Sequence, residues 1–289
     1  MKKILVTGSK GQLGSEIKAL ENEYENFQIV YTDIEELDLT DQKAINSFFS
    51  EHSFDYCLNC AAYTAVDKAE EEPDLALLIN AKAVEYLAKA CSRNHTKLIH
   101  ISTDYVFDGK NFRPYIESDP TTPESQYGRT KIEGEKAVRQ FATEAVIIRT
   151  SWLYSAFGNN FVKTMLHLGR ERSQLGVVFD QVGTPTYAGD LAKAMLDMVA
   201  KDNMKQGTEI YHYSNEGVIS WYDFARAIFH ESNISCTVQP IESKDFPAKA
   251  PRPFYSVLNK SKIKNDFGVS VPYWLDSLKR VLKQLNTNN

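Results

Sequence analysis

Three polar side chains near the middle of the chain have the types and spacing for proton chemistry. Tyr127 and Lys131 lie four apart in "QYGRTKIEGE", and Thr103 ends the apolar run of "HISTDYVFDG". In a helix, residues four apart share a face. An ammonium beside a phenol favours phenolate and lowers a reference pKa of about 10. A general acid/base working near neutral pH needs that shift. Y-x-x-x-K is a cheap motif, yet of the 15 tyrosines only Tyr127 has Lys at +4. Tyr105 has Gly109 there. Thr103 and Asp104 follow Leu98–Ile101 at a strand end, where an open α/β sheet binds its ligands. Thr103 is therefore expected to face the same crevice as Tyr127.

"TGSKGQLG" puts Gly8, Gly11 and Gly14 between a strand and a helix. Small residues let the backbone approach a pyrophosphate, and the helix N-terminus offers free N–H donors. The spacing, G-x-x-G-x-x-G, in that context predicts dinucleotide binding. Gln12 and Leu13 lie within the loop. Asp33 ends the second strand, where a carboxylate binds adenosine ribose hydroxyls and favours NADH. Lys10, inside the loop, points the other way, because it can meet the 2′-phosphate of NADPH. Both cofactors are therefore expected to bind. Asp38 and Leu39 are placed beside the adenine. Ala61 and Ala62 are small where a dinucleotide passes, and Tyr63 and Thr64 line the same edge.

These residues need elements to hold them. Strands are read in "KILVT", "FQIVYT", "DYCLNCA", "KLIHIS" and "AVIIRT". Helices are read over Gln12–Glu25, over Asp41–His52 with Thr40 as cap, from Pro73 through "DLALLINAKAVEYLAKAC", and from Pro123 to about Phe141. The alternation predicts an α/β fold, a Rossmann-type doubly wound parallel sheet over residues 1–150. After Thr150 the pattern loosens. Helices near Asn160–Glu171, Ala188–Ala200 and Ser220–Glu231, and after Pro272, suggest a smaller C-terminal α/β substrate lobe over residues 151–289. Some of its segments are expected to return to the Rossmann sheet.

With 289 residues, 43% of them apolar, the chain can bury a large core. A net charge of -5 argues against a nucleic-acid or anionic-membrane surface. No apolar run reaches membrane-spanning length and "MKKILVTG" lacks a signal-peptide pattern, so a cytoplasmic location is expected. Cys57 and Cys60 form a C-x-x-C inside a strand pattern, with no second pair for zinc, and read as buried thiols. The six histidines show no metal-ligand spacing.

The glycine loop, the Thr of "STDYVF" and the Tyr127/Lys131 pair together resemble the extended short-chain dehydrogenase/reductase superfamily. More closely, "GQLG", "AAYTAVDKAE", "STDYVFDG", "YGRTKIEGE", "RTSWLY", "NNFVKTML", "DQVGTPT" and "RPFYSVLN" resemble the dTDP-4-dehydrorhamnose reductase family, over nearly the whole chain. The resemblance implies reduction of the C4 ketone of dTDP-6-deoxy-L-lyxo-4-hexulose by NADPH or NADH, giving dTDP-L-rhamnose. It implies that Tyr127 donates the proton, that Lys131 binds the nicotinamide ribose and lowers the Tyr127 pKa, and that Thr103 bonds the sugar carbonyl. Gly11, Gln12, Leu13, Asp33, Asp38, Leu39, Ala62, Tyr63 and Thr64 would contact cofactor, and Asp104 and Trp152 the sugar. Arg252, in "PRPF", suits the diphosphate. Some members dimerise around Mg²⁺ held by acidic side chains from the first helix and from near residue 190. Glu16 fits the first position, whereas the second has Gly189, with Asp190 one place along. Other readings of the same fold are a nucleotide-sugar epimerase or dehydratase, or a non-catalytic regulatory subunit.

Overall fold

The computed structural model describes residues 1–287. The first half alternates strand and helix: β1 (Lys2–Thr7), α1 (Gln12–Ala19), β2 (Phe27–Thr32), α2 (Gln42–Glu51), β3 (Tyr56–Asn59), α3 (Val66–Glu71), α4 (Pro73–Leu77), α5 (Ala83–Arg93), β4 (Lys97–Thr103), α6 (Gln126–Phe141) and β5 (Glu144–Thr150). Then come β6 (Leu153–Tyr154), α7 (Phe161–Glu171), β7 (Gln174–Val178), β8 (Val182–Gly183), β9 (Thr186–Tyr187), α8 (Ala188–Lys201) and β10 (Gly207–His212). The chain continues through β11 (Ile219–Ser220), α9 (Trp221–Glu231), β12 (Thr237–Ile241), α10 (Ser261–Phe267) and α11 (Trp274–Thr287).

Six strands form one sheet in the order β10-β5-β4-β3-β1-β2, and every pairing is parallel. From β1 the chain runs first outward to β2 and then back past β1 to β3. That reversal opens a crevice at the carboxyl ends of β1 and β3. The last sheet strand, β10, comes from the second half of the sequence and pairs with β5.

Strand side chains alternate between faces, and two cores result. Ile4, Val6, Leu58, Ile99 and Ile148 pack against Ile17 of α1 and Leu191 and Met195 of α8. Leu5, Cys57, Leu98 and Ile147 pack on the other face, against Ile45, Phe49, Leu87 and Val138 of α2, α5 and α6. A third core joins α7, α9 and α11 through Val162, Phe224, Ile228 and Val281. Each fully buried aliphatic side chain contributes roughly 1.5–3 kcal/mol, so every layer of the sheet is held from both sides.

Several element ends differ from the sequence reading. The first helix stops at Ala19 and not Glu25. The Leu20 N–H is shared by the Glu16 and Ile17 carbonyls, and a 3₁₀ turn over Glu21–Glu23 follows. Asp41 caps α2, accepting from the Lys43 and Ala44 amides, while the Thr40 hydroxyl donates to Asp38. The long helix expected from Pro73 is interrupted by a π turn over Leu78–Lys82. The helix expected from Pro123 begins at Gln126, because Ser125 caps it through the Gly128 amide.

Candidate active site

The glycine loop leaves β1 at Gly8, whose φ of 64° is the left-handed backbone that glycine adopts without strain. A Cβ on Gly8 would also lie 2.7 Å from the Ala61 backbone, and one on Gly14 would lie 2.5 Å from the Gly8 carbonyl. The loop therefore folds against itself and the end of β3. Gly11 is the extended residue ahead of α1, and no side chain caps that helix end. Its first amides stay free to meet an anion.

Gly11, Gln12 and Leu13 open onto a cleft of about 500 Å³, which Ala62, Thr64, Thr103, Asp104, Tyr127, Lys131 and Trp152 also line. A narrower pocket of about 110 Å³ holds Gly8, Asp33, Asp38, Leu39 and Ala61. Asp33 Oδ2 accepts from the Lys10 amide at 2.8 Å, fixing the carboxylate beside the loop. Asp38 receives the Thr40 amide and hydroxyl at 2.8 and 2.7 Å. The Lys10 ammonium pairs with exposed Glu35, which raises its pKa.

Tyr127 and Lys131 share the buried face of α6. The Tyr127 ring meets that of Tyr105 edge-on at 5.5 Å. The expectation that Lys131 lowers the phenol pKa is not met in this state. Burial pushes the phenol up, the Thr103 hydroxyl beside it offsets part of this, and the Lys131 ammonium instead donates to the Ile101 carbonyl at 2.7 Å. Burial also draws Lys131 down to about 8. Thr103 donates to Asp104 Oδ1 at 2.9 Å, and burial pushes Asp104 up to about 6. Asp104 Oδ2 is buried and finds no hydrogen-bond partner among the described residues.

Trp152 has a φ of 48°, an uncommon backbone for a bulky residue. Its ring stacks on Trp221 of α9 at 3.6 Å between centroids and 10° between planes. A Cβ on Gly183 would lie 2.8 Å from that ring. Trp152 thus forms one wall of the cleft. Cys57 is buried in the core, whereas Cys60, expected to be buried as well, lies on the opposite face and borders the cleft.

Other named residues stand apart. Tyr63 turns its hydroxyl to Glu72 at 2.6 Å and packs beside Ala69 and Tyr127, while its amide meets Asn80. Arg252 donates to Asp67 at 2.7 Å and to the Tyr105 hydroxyl at 3.0 Å, next to the cleft through Tyr105. Glu16 is 3% exposed, and its two oxygens receive Ser155 at 2.7 Å and Tyr187 at 3.0 Å. Asp190 is held by Asn215, Ser277 and Arg280. Both acids are thus fully engaged within the chain. The donor set does not fit the expected Mg²⁺ site, and no His/Cys/Asp/Glu cluster of metal-binding size occurs among the described residues.

The sequence reading missed Asn160 and Trp221. Asn160 caps α7 and donates to Gln12 in the glycine loop at 2.9 Å. Its cap position was readable, but its contact with a residue 148 positions away was not.

Comparison with known proteins places these features in a family. The model of the RmlD substrate binding domain matches residues 1–287. The dTDP-4-dehydrorhamnose reductase of Aggregatibacter actinomycetemcomitans is 39% identical over 97% of this chain and 98% of its own. The solved structure of a dTDP-4-dehydrorhamnose reductase from Clostridium acetobutylicum has a TM-score of 0.94 and 43% identity, covering 98% of this chain and 99% of that one. The Bacillus anthracis dTDP-4-dehydrorhamnose reductase, solved in complex with NADP, has a TM-score of 0.93 and 37% identity over 98% and 99% of the two chains.

Proposed function

The chain belongs to the RmlD family of dTDP-4-dehydrorhamnose reductases, and on that premise we propose how its own residues carry out the reaction. The substrate is dTDP-6-deoxy-L-lyxo-4-hexulose, and the product is dTDP-L-rhamnose. The observation that carries this reading is one cleft holding the glycine loop at one side and Thr103, Tyr127 and Lys131 at the other.

The nicotinamide cofactor supplies, when bound, the hydride for the sugar C4. The free amides of Gln12 and Leu13 receive its diphosphate, which passes over Gly11, whose own amide is taken by the Gly8 carbonyl, and Asp33 and Asp38 take the adenosine end. Ala61, Ala62 and Thr64 leave room along its path, and the Tyr63 backbone borders it. Lys131 gives up the Ile101 carbonyl to bind the nicotinamide ribose. Its ammonium then stands where it favours phenolate character at Tyr127. Thr103 holds the C4 carbonyl oxygen. As that oxygen gains negative charge, the Tyr127 O–H bond breaks and its proton neutralises the alkoxide. Asp104 and Trp152 flank the sugar, and Arg252 exchanges Asp67 for the diphosphate. Asp33 favours NADH and Lys10 favours NADPH, so both serve. No step runs through a metal ion. We infer a cytoplasmic location from the water-soluble nucleotide sugar and nicotinamide cofactor that the reaction uses.

The test is absorbance loss on mixing protein, NADPH and the 4-ketosugar nucleotide. Tyr127→Phe is expected to lower kcat by about 10²–10⁴-fold while NADPH binding persists. Absence of oxidation by the wild type, or equal rates in the variant, would overturn the assignment. Epimerase or dehydratase turnover would instead leave NADPH unconsumed.

A further inference from the structure

Helix α6 carries three ionisable side chains at four-residue steps, Tyr127, Lys131 and Glu135, all of them buried. Only the first two take part in the reaction proposed above. Four-residue steps stack side chains on one helix face, so Glu135 is the next group beyond Lys131. A buried carboxylate is costly unless it is fully paired. Glu135 receives Ser102 Oγ at 2.5 Å, Arg149 Nε at 2.9 Å and Arg149 Nη2 at 2.7 Å. Ser102 immediately precedes Thr103 on β4, and Arg149 stands three residues before Trp152 at the end of β5. One carboxylate therefore ties α6 to the two strand ends that carry sugar-facing side chains.

The same carboxylate matters for charge. The one hydrogen bond that the Lys131 ammonium makes within the described residues goes to a neutral carbonyl, that of Ile101. Around it, β4 contributes His100, which burial keeps neutral. The segment after β4 contributes Asp104, engaged with Thr103, and the phenol of Tyr105. β5 contributes the cation Arg149, and Glu117 lies farther out, beyond Arg149. Glu135 is the anion on the Lys131 face of α6, and its field favours the ammonium against the effect of burial.

We propose that Glu135, with Arg149, is a positioning residue for the reaction: its carboxylate sustains the charge of the Lys131 ammonium and clamps the ends of β4 and β5 to α6. Arg149 tempers the field that Lys131 receives from Glu135. The two partners therefore act on Lys131 with opposite sign, which a purely structural pair does not do. This inference rests on the role given to Lys131 above.

The experiment is an NMR titration of the whole protein labelled with ¹³Cε-lysine, with Lys131 assigned through Lys131→Arg. Glu135→Gln is expected to lower the Lys131 midpoint by about one pH unit, and Arg149→Met to raise it. If Arg149→Met fails to fold because it strands a buried carboxylate, Glu135→Gln/Arg149→Met removes both charges. Its Lys131 midpoint is expected above that of Glu135→Gln alone. The alkaline loss of NADPH binding, read by bound-NADPH fluorescence, should move with the midpoint. An unchanged Lys131 midpoint in folded Glu135→Gln overturns the proposal, as does a double variant no higher than Glu135→Gln. A wild type without reductase activity would defeat the proposed function and leave the NMR result standing.

Discussion

At the scale of single residues, the site keeps a carboxyl group in a place that opposes its ionisation. Burial raises Asp104 from a usual value near 3.8 to about 6. Below about pH 4 the group is protonated in both folded and unfolded chains and costs nothing. As pH rises from 4 through 6 the unfolded chain ionises more readily, so stability is lost, and the loss is complete above 6. Two pKa units correspond to roughly 3 kcal/mol. Asp104→Asn is therefore expected to raise the Tm at pH 7.5, with the gain vanishing near pH 4, and to lower activity toward the ketosugar. Scanning calorimetry across that pH range checks the first part. A Tm gain independent of pH would refute the ionisation cost. That Tyr127, Lys131 and Thr103 line one cleft was legible because their spacing is local, four residues along a helix or one strand end. The hydroxyl of Tyr187 on Glu16, 171 positions away, was not, because only the packing of α8 on α1 brings the two together.

At the scale of elements, α6 sets the aim of Tyr127 and Lys131, the pair proposed to be catalytic, and Ser125 sets where α6 starts. The Ser125 hydroxyl accepts from the Gly128 amide at 3.1 Å. Ser125→Ala removes that cap at a cost of about 1 kcal/mol, a Tm drop of about 2 °C for a chain of this size. Because Tyr127 lies in the first turn, kcat should fall more than NADPH affinity. Matched losses in the two would instead mean general loosening. Strands were read well from sequence, and "FQIVYT" coincides with β2. Helix ends were read less well. Thr40 and Asp41 are both good caps by type, and which one serves depends on Asp38 taking the Thr40 hydroxyl first. The π turn before α5 left no trace in the apolar periodicity. Its Asn80 is held by the Tyr63 backbone and the Thr130 hydroxyl, both outside the turn.

At the scale of the whole molecule, the sheet joins the two halves of the sequence, because β10 closes the edge beside β5. Glu16, expected to hold a metal, instead fastens α1 to Ser155 and Tyr187, and Asp190, one place along from the second position, ties α8 to Asn215 and to Ser277 and Arg280 of α11. Chelator should leave the elution volume in size-exclusion chromatography and the Tm unchanged. A shift of either on adding EDTA, reversed by Mg²⁺, would show a metal site that these acids do not form. The stacked pair of Trp152 and Trp221 has a consequence of its own. The chain has 3 tryptophans, and two of them form this face-to-face pair with one member in the cleft wall. Two indoles so close share their electronic transitions, and their near-ultraviolet circular dichroism carries the signature of a coupled dimer. A ligand that moves Trp152 must alter that signal, so the protein carries an intrinsic optical gauge of its own occupancy.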